Sequence, residues 1–213
     1  MAVTVSLENV SFGYTVDRML FEGIYLSLDK GQTLAITGKS GAGKTSLLKL
    51  LMGVLKPTHG QVFVFGNDLA TLSKRKRQAL MLKQVGIIHQ SPFFLPELNA
   101  QENVALQLSK ATGLRFSKAL HKASDLVASV GIDPKQSIDT LSGGELGRLQ
   151  ICRAVCHQPQ LILADEPNAA LDKKTAYEMF SLLEEQTQNA ALIMITHDNE
   201  LANRCMAQLV IGE

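Results

Sequence analysis

Gly38-Lys39-Ser40-Gly41-Ala42-Gly43-Lys44-Thr45 fits the pattern G-x-x-x-x-G-K-[ST] without a mismatch. Before it, Thr33-Leu34-Ala35-Ile36-Thr37 is a short apolar, β-branched run that predicts a strand. After it, Ser46 to Met52 predicts a helix closed by Gly53. Strand, glycine loop and helix together let successive backbone N–H groups turn inward around phosphates. The helix start adds unpaired N–H groups and a positive dipole end. Lys44 is then placed to reach the β- and γ-phosphates, and the Thr45 hydroxyl to ligate Mg²⁺. The candidate nucleotide-binding set is Gly38, Lys39, Ser40, Gly41, Ala42, Gly43, Lys44, Thr45 and Ser46.

Two further stretches carry chemistry. Leu161-Ile162-Leu163-Ala164 predicts a strand that delivers Asp165 and Glu166 at its C-terminal end. In open α/β sheets, ligands sit beyond that end of the strands. Asp165 is placed to hold the metal through water, opposite Thr45, and Glu166 to position or deprotonate an attacking water. Leu141-Ser142-Gly143-Gly144-Glu145 opens a helix, which makes a second anion-binding helix start.

The surrounding chain predicts an α/β fold. Its 213 residues suit one domain, and 46% hydrophobic content supports a core. Val3-Thr4-Val5-Ser6-Leu7 alternates and pairs with Ile24 to Leu28 across an irregular loop. Strands are expected at Gln61 to Phe65, ended by Gly66-Asn67, and at Val85 to Ile88. Ser73 to Lys83 predicts a short surface helix, basic on one side and apolar on the other through Leu80, Met81 and Leu82. Residues 91–140 differ: a proline-bracketed apolar loop, Ser91 to Leu98, precedes helices at Ala100 to Thr112 and Ser117 to Val130. On the second helix Phe116, Leu120, Val127 and Val130 lie near one stripe. Beyond it a helix from Ser142, the Leu161 strand, a helix from Asp172 to about Glu185, a strand at Ala191 to Ile195, a short helix from Asn199 and an edge-like strand at Gln208 to Ile211 follow. Continuous apolar strands separated by helices predict a mainly parallel sheet flanked by helices, with an N-terminal antiparallel β part and a helical insertion.

Charge and cysteine content limit the function classes. Twenty-one Lys+Arg against twenty Asp+Glu leave a formal charge of +1, which is no argument for a nucleic-acid partner and none against a neutral or anionic small molecule. Lys74, Arg75, Lys76 and Arg77 have no aromatic interleaving and read as a solvated helix face. The start, Met1 to Val10, lacks the basic and long apolar regions of a secretory signal. No apolar run reaches the roughly eighteen residues of a membrane span. Cys152, Cys156 and Cys205 form no C-x-x-C pair, which predicts a reduced compartment and small buried hydrophobes.

Leu141 to Glu145 resembles the signature loop of the ATP-binding cassette (ABC) family, and the resemblance runs across nearly the whole chain. It implies a P-loop NTPase of the ABC type filling 1–213, with a nucleotide-binding core at 1–90 and 141–213 and a helical subdomain at 91–140. It further implies that the signature of one copy closes over the γ-phosphate on the P-loop of another. Two sites then form only when two copies face each other head to tail, and Ser142, Gly143, Gly144 and Glu145 join the nucleotide-binding set. Gln90 matches the glutamine that senses Mg²⁺ and the attacking water. His197 matches the switch histidine that contacts the γ-phosphate and orients Glu166. Tyr14 matches the aromatic that stacks on adenine, with Phe12 as the fallback. Pro167-Asn168-Ala169-Ala170-Leu171-Asp172 matches the loop crossing the dimer interface, with Asn168 and Ala169 where threonine and often serine are usual. Leu146 and Gly147 stand where the family typically has two glutamines; a glycine in a helix costs roughly 1 kcal/mol relative to alanine.

The implied activity is ATP hydrolysis to ADP and phosphate. Its catalytic residues are Glu166, His197, Gln90 and Lys44, its metal residues Thr45, Gln90 and Asp165, and its cofactors ATP and Mg²⁺. The leading reading is the ATPase subunit of a bacterial ABC transporter or mechanotransmission complex, peripheral on the cytoplasmic face of the inner membrane. Its partners are a second copy of itself and separate integral membrane subunits, without direct contact to nucleic acid or cargo. The alternative is a non-transport cassette acting in DNA maintenance or on ribosomes. Against it, the chain has one cassette, no heptads and no long insertion between Thr45 and Leu141. Phe93, Phe94 and Leu95 either receive a membrane subunit's short helix or fill the junction between core and helical insertion. Leu95 to Val104 looks like the bacterial branch of lipoprotein-release, macrolide-efflux and cell-division cassettes.

Overall fold

The computed structural model describes residues 3–15, 18–167, 173–187 and 189–212. In chain order the elements are β1 (Val3–Thr15), β2 (Arg18–Asp29), β3 (Thr33–Gly38), α1 (Lys44–Leu51), β4 (His59–Val64), β5 (Asn67–Asp68) and α2 (Lys74–Gln84). There follow β6 (Val85–Ile88), α3 (Ala100–Thr112), α4 (Phe116–Ser129), α5 (Gly143–Val155), β7 (Leu161–Asp165), α6 (Lys173–Thr187), β8 (Ala191–Ile195), α7 (Asn199–Arg204) and β9 (Ala207–Ile211). The fold is the expected α/β type, with parallel core strands flanked by helices and antiparallel strands at the N-terminus. The chain divides into two compact units, Met1–Met81 with Thr187–Glu213, and Leu82–Gln186. Among the described residues, no helix is long and apolar enough to cross a membrane.

In the first unit, β1 pairs antiparallel with β2, Leu7 facing Leu26 and Phe12 facing Phe21. The predicted hairpin is therefore longer than the alternation at Val3 to Leu7 suggested. On its other edge β1 pairs with β4, and Val5, Leu7, Val10 and Phe12 are buried. Chain reversal after β4 uses Phe65 and Gly66, both with positive φ (51° and 71°), the backbone of a tight two-residue hairpin loop. Asn67 consequently starts a short strand rather than ending one, pairing with Val64. The strand β3 runs parallel to β8 on one side and β9 on the other. Strands covered on both faces need continuous apolar runs. Leu34, Ala35 and Ile36 of β3 and all of β8 are accordingly buried. The helix α1 buries Leu47, Leu48, Leu50 and Leu51. The helix α2 forms where expected, but its apolar side is not a core face: no residue of α2 is buried, and Leu82 is exposed.

In the second unit, β6 and β7 pair in parallel, Val85 with Leu161 and Ile88 with Ala164. The strand β6 stops at Ile88, before His89. A capping box starts α3: the Asn99 side chain accepts from Glu102 N–H, and the Glu102 carboxylate accepts from Asn99 N–H. Buried Asn103 ties down the preceding loop, donating to the carbonyls of Leu95, Leu98 and Asn99 and accepting from Leu95 N–H. Of the stripe expected on α4, Val127 is buried and Leu120 and Val130 pack partly buried against the core, but Phe116 is exposed; Ala119 and Ala123, at helical spacing with Val127, are the other buried members. Small residues let α4 lie close to α3, and a wider Phe116 and Leu120 stripe would hold it off.

The loop before α3 also splits its aromatic pair. Phe94 is 8% exposed and packs with Ala100, Val104 and Leu149, whereas Phe93 is 70% exposed. Phe94 is thus not available as an exposed docking residue.

Candidate functional site

The first unit carries the phosphate loop. β3 ends at Gly38, whose backbone pairs beside Ile211 of β9. A Cβ at Gly38 would run into the Ile211 carbonyl oxygen. At Gly41, by contrast, φ is +80° and a Cβ would meet nothing within 4 Å. The N-cap of α1 is Gly43, so no side chain takes up the first N–H groups of this helix. In α3 and α5 full capping boxes do so. An uncapped helix start of this kind is suited to an anion.

Lys44 is buried at 6% exposure, and its Nζ donates to the carbonyls of Gly38 (2.9 Å) and Lys39 (3.0 Å). The ammonium is therefore held over the loop it is meant to serve. Thr45 is exposed and Ser46 is buried. Tyr14 is 63% exposed, and its hydroxyl lies 3.1 Å from Ser46 Oγ. Phe12 is buried and meets the Tyr14 ring edge-on, with centroids 5.1 Å apart. Of the two aromatic candidates, only Tyr14 presents a ring face to solvent next to the loop. His197 is exposed in the bend after β8, directly before Asp198, whose side chain caps α7.

The second unit carries the carboxylates, the glutamine and the signature. The parallel register of β6 and β7 brings their C-terminal ends out together. Gln90 Nε2 donates to Glu166 Oε2 at 3.2 Å, which joins two residues proposed separately from the sequence. Glu166 adopts a left-handed backbone, φ 45°, while Asp165 still belongs to β7. That change of backbone region turns the two adjacent carboxylates in different directions. Strained backbone of this sort is costly for a non-glycine residue and concentrates at functional positions.

At the signature, Ser142 caps α5 and Glu145 completes a capping box. Ser142 N–H and Oγ–H both donate to Glu145 Oε2, at 2.8 and 2.6 Å. Those bonds from the Ser142 side chain and backbone hold the Glu145 carboxyl below the usual carboxylate range. Gly143 and Gly144 form the first turn, and a Cβ on Gly143 would meet nothing within 4 Å. Of the loop expected to cross a dimer interface, Pro167 is described, and Asn168, Ala169, Ala170, Leu171 and Asp172 lie outside the described residues.

Further along α5 lie Gln150, which the sequence does not single out, and Arg153, which belongs to the helix that follows the signature match. Buried Gln150 donates from Nε2 to the His89 carbonyl at 2.8 Å. Arg153 donates to the Phe93 carbonyl and stacks its guanidinium 4.5 Å from the Phe94 ring centroid. For Gln150 the one sequence signal was a glutamine between Leu149 and Ile151 in a helix whose middle buries. Burial, helped by Arg153, pushes the His89 imidazole below its ordinary value, and Asp165 opposes this. Burial also raises the thiols of Cys152 and Cys156 to about 12, so both stay protonated and pack as small apolar groups.

These residues fit ATP and Mg²⁺. Gly41 leaves open space where its backbone turns, α1 presents uncapped N–H groups, and Lys44 supplies a cation. Thr45 and Asp165 offer hard oxygen donors, the type Mg²⁺ takes. Among the described residues no group of three or more His, Cys, Asp or Glu is placed to cage a metal. Mg²⁺ bound through one or two protein oxygens together with phosphates needs no such cage.

Comparison with known proteins agrees with this chemistry. A family model described as "ABC transporter" matches residues 21–169. A "Lipoprotein-releasing system ATP-binding protein LolD" of Legionella pneumophila (strain Paris) is 39% identical over 198 residues, covering 91% of this chain and 87% of that protein. The protein of the same name from Psychrobacter arcticus is 38% identical over 218 residues, covering 99% and 96%. A solved dimeric structure of the ATP-binding cassette MJ0796, in a post-hydrolysis state with ADP and Pi, superimposes with a TM-score of 0.85. Its sequence identity is 26%, and 97% of this chain and 94% of that chain are covered.

Proposed function

The chain belongs to the ABC transporter family as an ATP-hydrolysing subunit of a transporter-type complex, and from that premise we propose that ATP-driven pairing of two copies moves separate membrane subunits. The observation that carries this reading is the presence of two glycine-rich helix starts in one chain. One, at Gly43, has no side-chain cap, and the other is opened by Ser142. A single γ-phosphate needs donors on both sides as charge develops on it. Lys44, Gln90 and His197 serve one side, and Ser142 and Gly144 of a second copy serve the other. Residues 1–90 and 141–213 make the nucleotide-binding core in this reading, and 91–140 the helical subdomain.

Each residue then has a task. Tyr14 stacks on the base, and the loop from Gly38 to Ser46 binds the phosphates. Thr45 and Asp165, with Gln90, would hold Mg²⁺, which when bound would neutralise phosphate charge. Glu166, steadied by the Gln90 amide, takes a proton from water as the water oxygen bonds to the γ-phosphorus. The bond from that phosphorus to the β–γ bridging oxygen breaks, and ADP leaves. The names of the relatives support lipoprotein release as the coupled work, and in this reading the subunit itself sits on the cytoplasmic face of a bacterial inner membrane. Exposed Phe93 supports contact with a membrane subunit.

The test uses Glu166→Gln with ATP and Mg²⁺ in light scattering, beside Glu166→Gln/Ser142→Arg. The single variant is expected to lose general-base catalysis, about 10²- to 10⁴-fold in rate, and to form a dimer holding uncleaved ATP. The double variant stays monomeric, because arginine fills the space over the opposing γ-phosphate. Normal hydrolysis by Glu166→Gln, or a dimer indifferent to Ser142→Arg, refutes the reading.

A further inference from the structure

The helix α5 grips the loop after β6 at both ends. Gln150 is 2% exposed in a helix whose neighbouring buried residues, Leu149, Ile151 and Cys152, are apolar. A buried amide is costly unless it is hydrogen-bonded. Gln150 meets that requirement by donating to the carbonyl of His89, the residue just before Gln90. Three residues further along, and so on the same side of the helix, Arg153 donates to the carbonyl of Phe93. Its guanidinium also lies over the ring of Phe94, which is fixed in the core of this unit. The backbone from His89 to Phe93 is therefore pinned at both ends by one helix. Between the pins sits Gln90, whose amide holds Glu166.

The same helix begins at Ser142. At about 1.5 Å per residue, Gln150 is about 12 Å along a continuous hydrogen-bonded rod from that cap. The helix is unbroken from that cap to the pins, with Gly147 inside it, so a displacement of the helix start is carried to them along one element.

Resting on the roles assigned above to Gln90 and Glu166, we propose that Gln150 and Arg153 are positioning residues that fasten the Gln90 loop to the signature helix. The orientation of Glu166 toward the attacked water then follows the seating of Ser142. Neither residue touches nucleotide. Their loss lowers the rate of cleavage and leaves ATP affinity alone.

The substitutions that test this are Gln150→Met, which keeps length and removes the donor, and the pair Arg153→Lys and Arg153→Leu. Each full-length variant is measured for steady-state ATPase rate, ATP binding by calorimetry, thermal unfolding, and amide hydrogen exchange across 89–93. Gln150→Met is expected to lower kcat about tenfold, as one lost orienting hydrogen bond can, with ATP affinity unchanged. Exchange rises at 89–93 and not elsewhere in the second unit. Arg153→Lys retains a cation and a donor and keeps more of the rate than Arg153→Leu. Should Arg153→Leu fail to fold, Gln150→Met and Arg153→Lys decide the matter. The proposal is overturned if kcat is unchanged in Gln150→Met, or if rate, affinity and unfolding temperature fall together as in general destabilisation. Full activity in Glu166→Gln removes the underlying reading of the site. Loss of activity there with normal turnover in Gln150→Met removes only the positioning proposal.

Discussion

Lys44→Met isolates what a single buried charge does for nucleotide binding. Methionine keeps most of the aliphatic stem in a position only 6% exposed, so the packing around α1 survives. Without nucleotide, the change deletes the donations from Nζ to the Gly38 and Lys39 carbonyls. Gly38 is half-buried and Lys39 exposed, so water replaces those bonds at a cost of about 1 kcal/mol or less. That shifts the unfolding temperature by only a few degrees, on the order of 2–4 °C for a chain of this size. With ATP bound, the same ammonium would make charge-assisted bonds to phosphate oxygens, about 1.5–3 kcal/mol each. Two such bonds, less the carbonyl bonds given up on binding, leave a net loss of about 2–4 kcal/mol. The dissociation constant for ATP should rise about 30- to 700-fold, and that for ADP by less, since one phosphate contact is absent. Titration calorimetry with each nucleotide, beside a thermal scan of the same sample, measures both quantities. An ATP affinity within about threefold of the parent, in a protein that still unfolds cooperatively, would refute the assignment of Lys44.

Tyr14→Ala should weaken ATP and GTP to similar degrees, by about 1–3 kcal/mol, because stacking on an aromatic face is tolerant of the base. Tyr14→Phe gives up only the hydroxyl contact with Ser46 and should bind nearly normally; normal binding of both nucleotides by the alanine variant would exclude Tyr14. His157 supplies a pH signature. Its ring is buried, and that burial, partly offset by the Val85 backbone, lowers its pKa from the ordinary 6.5. The unfolded chain then takes up the proton first as the pH falls. The contribution of neutral His157 is complete above about pH 6.5 and is drained as pH drops from there toward the lower folded value. Urea midpoints at pH 7.5 and 5.5 should therefore differ more in the parent than in His157→Leu, and equal differences would contradict the assignment.

Local chemistry was readable from the sequence wherever a few neighbouring residues settle the outcome. The bounds of α3 follow from Asn99, Glu102 and Gly113, all of which act within one turn of a helix end. The cap at Ser142 is equally local. The strands β3, β7 and β8 announce themselves by short continuous apolar runs, which the structure buries almost throughout. Contacts between distant parts of the chain were not readable. Gln150 and His89 are 61 positions apart, and nothing in either neighbourhood announces the other. Phe93 and Phe94 are chemically identical in a loop without periodicity, so which one turns inward depends on Arg153 and α3. On α4 the eye goes to Phe116 and Leu120, yet tight packing selected Ala119 and Ala123.

Gly38 and Gly41 stand in the same motif, but different neighbours require them. Next to Gly38 the obstacle to any side chain is the backbone of β9, a strand at the far end of the sequence. That glycine would be needed to seat β9 beside β3 even in a chain that never met a nucleotide. Gly41 has no such neighbour, and only its left-handed backbone and the open space before it set its identity. A pattern search credits both glycines equally to the ligand. A protein that had lost phosphate binding while keeping its sheet would be expected to drift first at position 41 and last at position 38. The order in which the motif decays would then separate a retired nucleotide site from a working one.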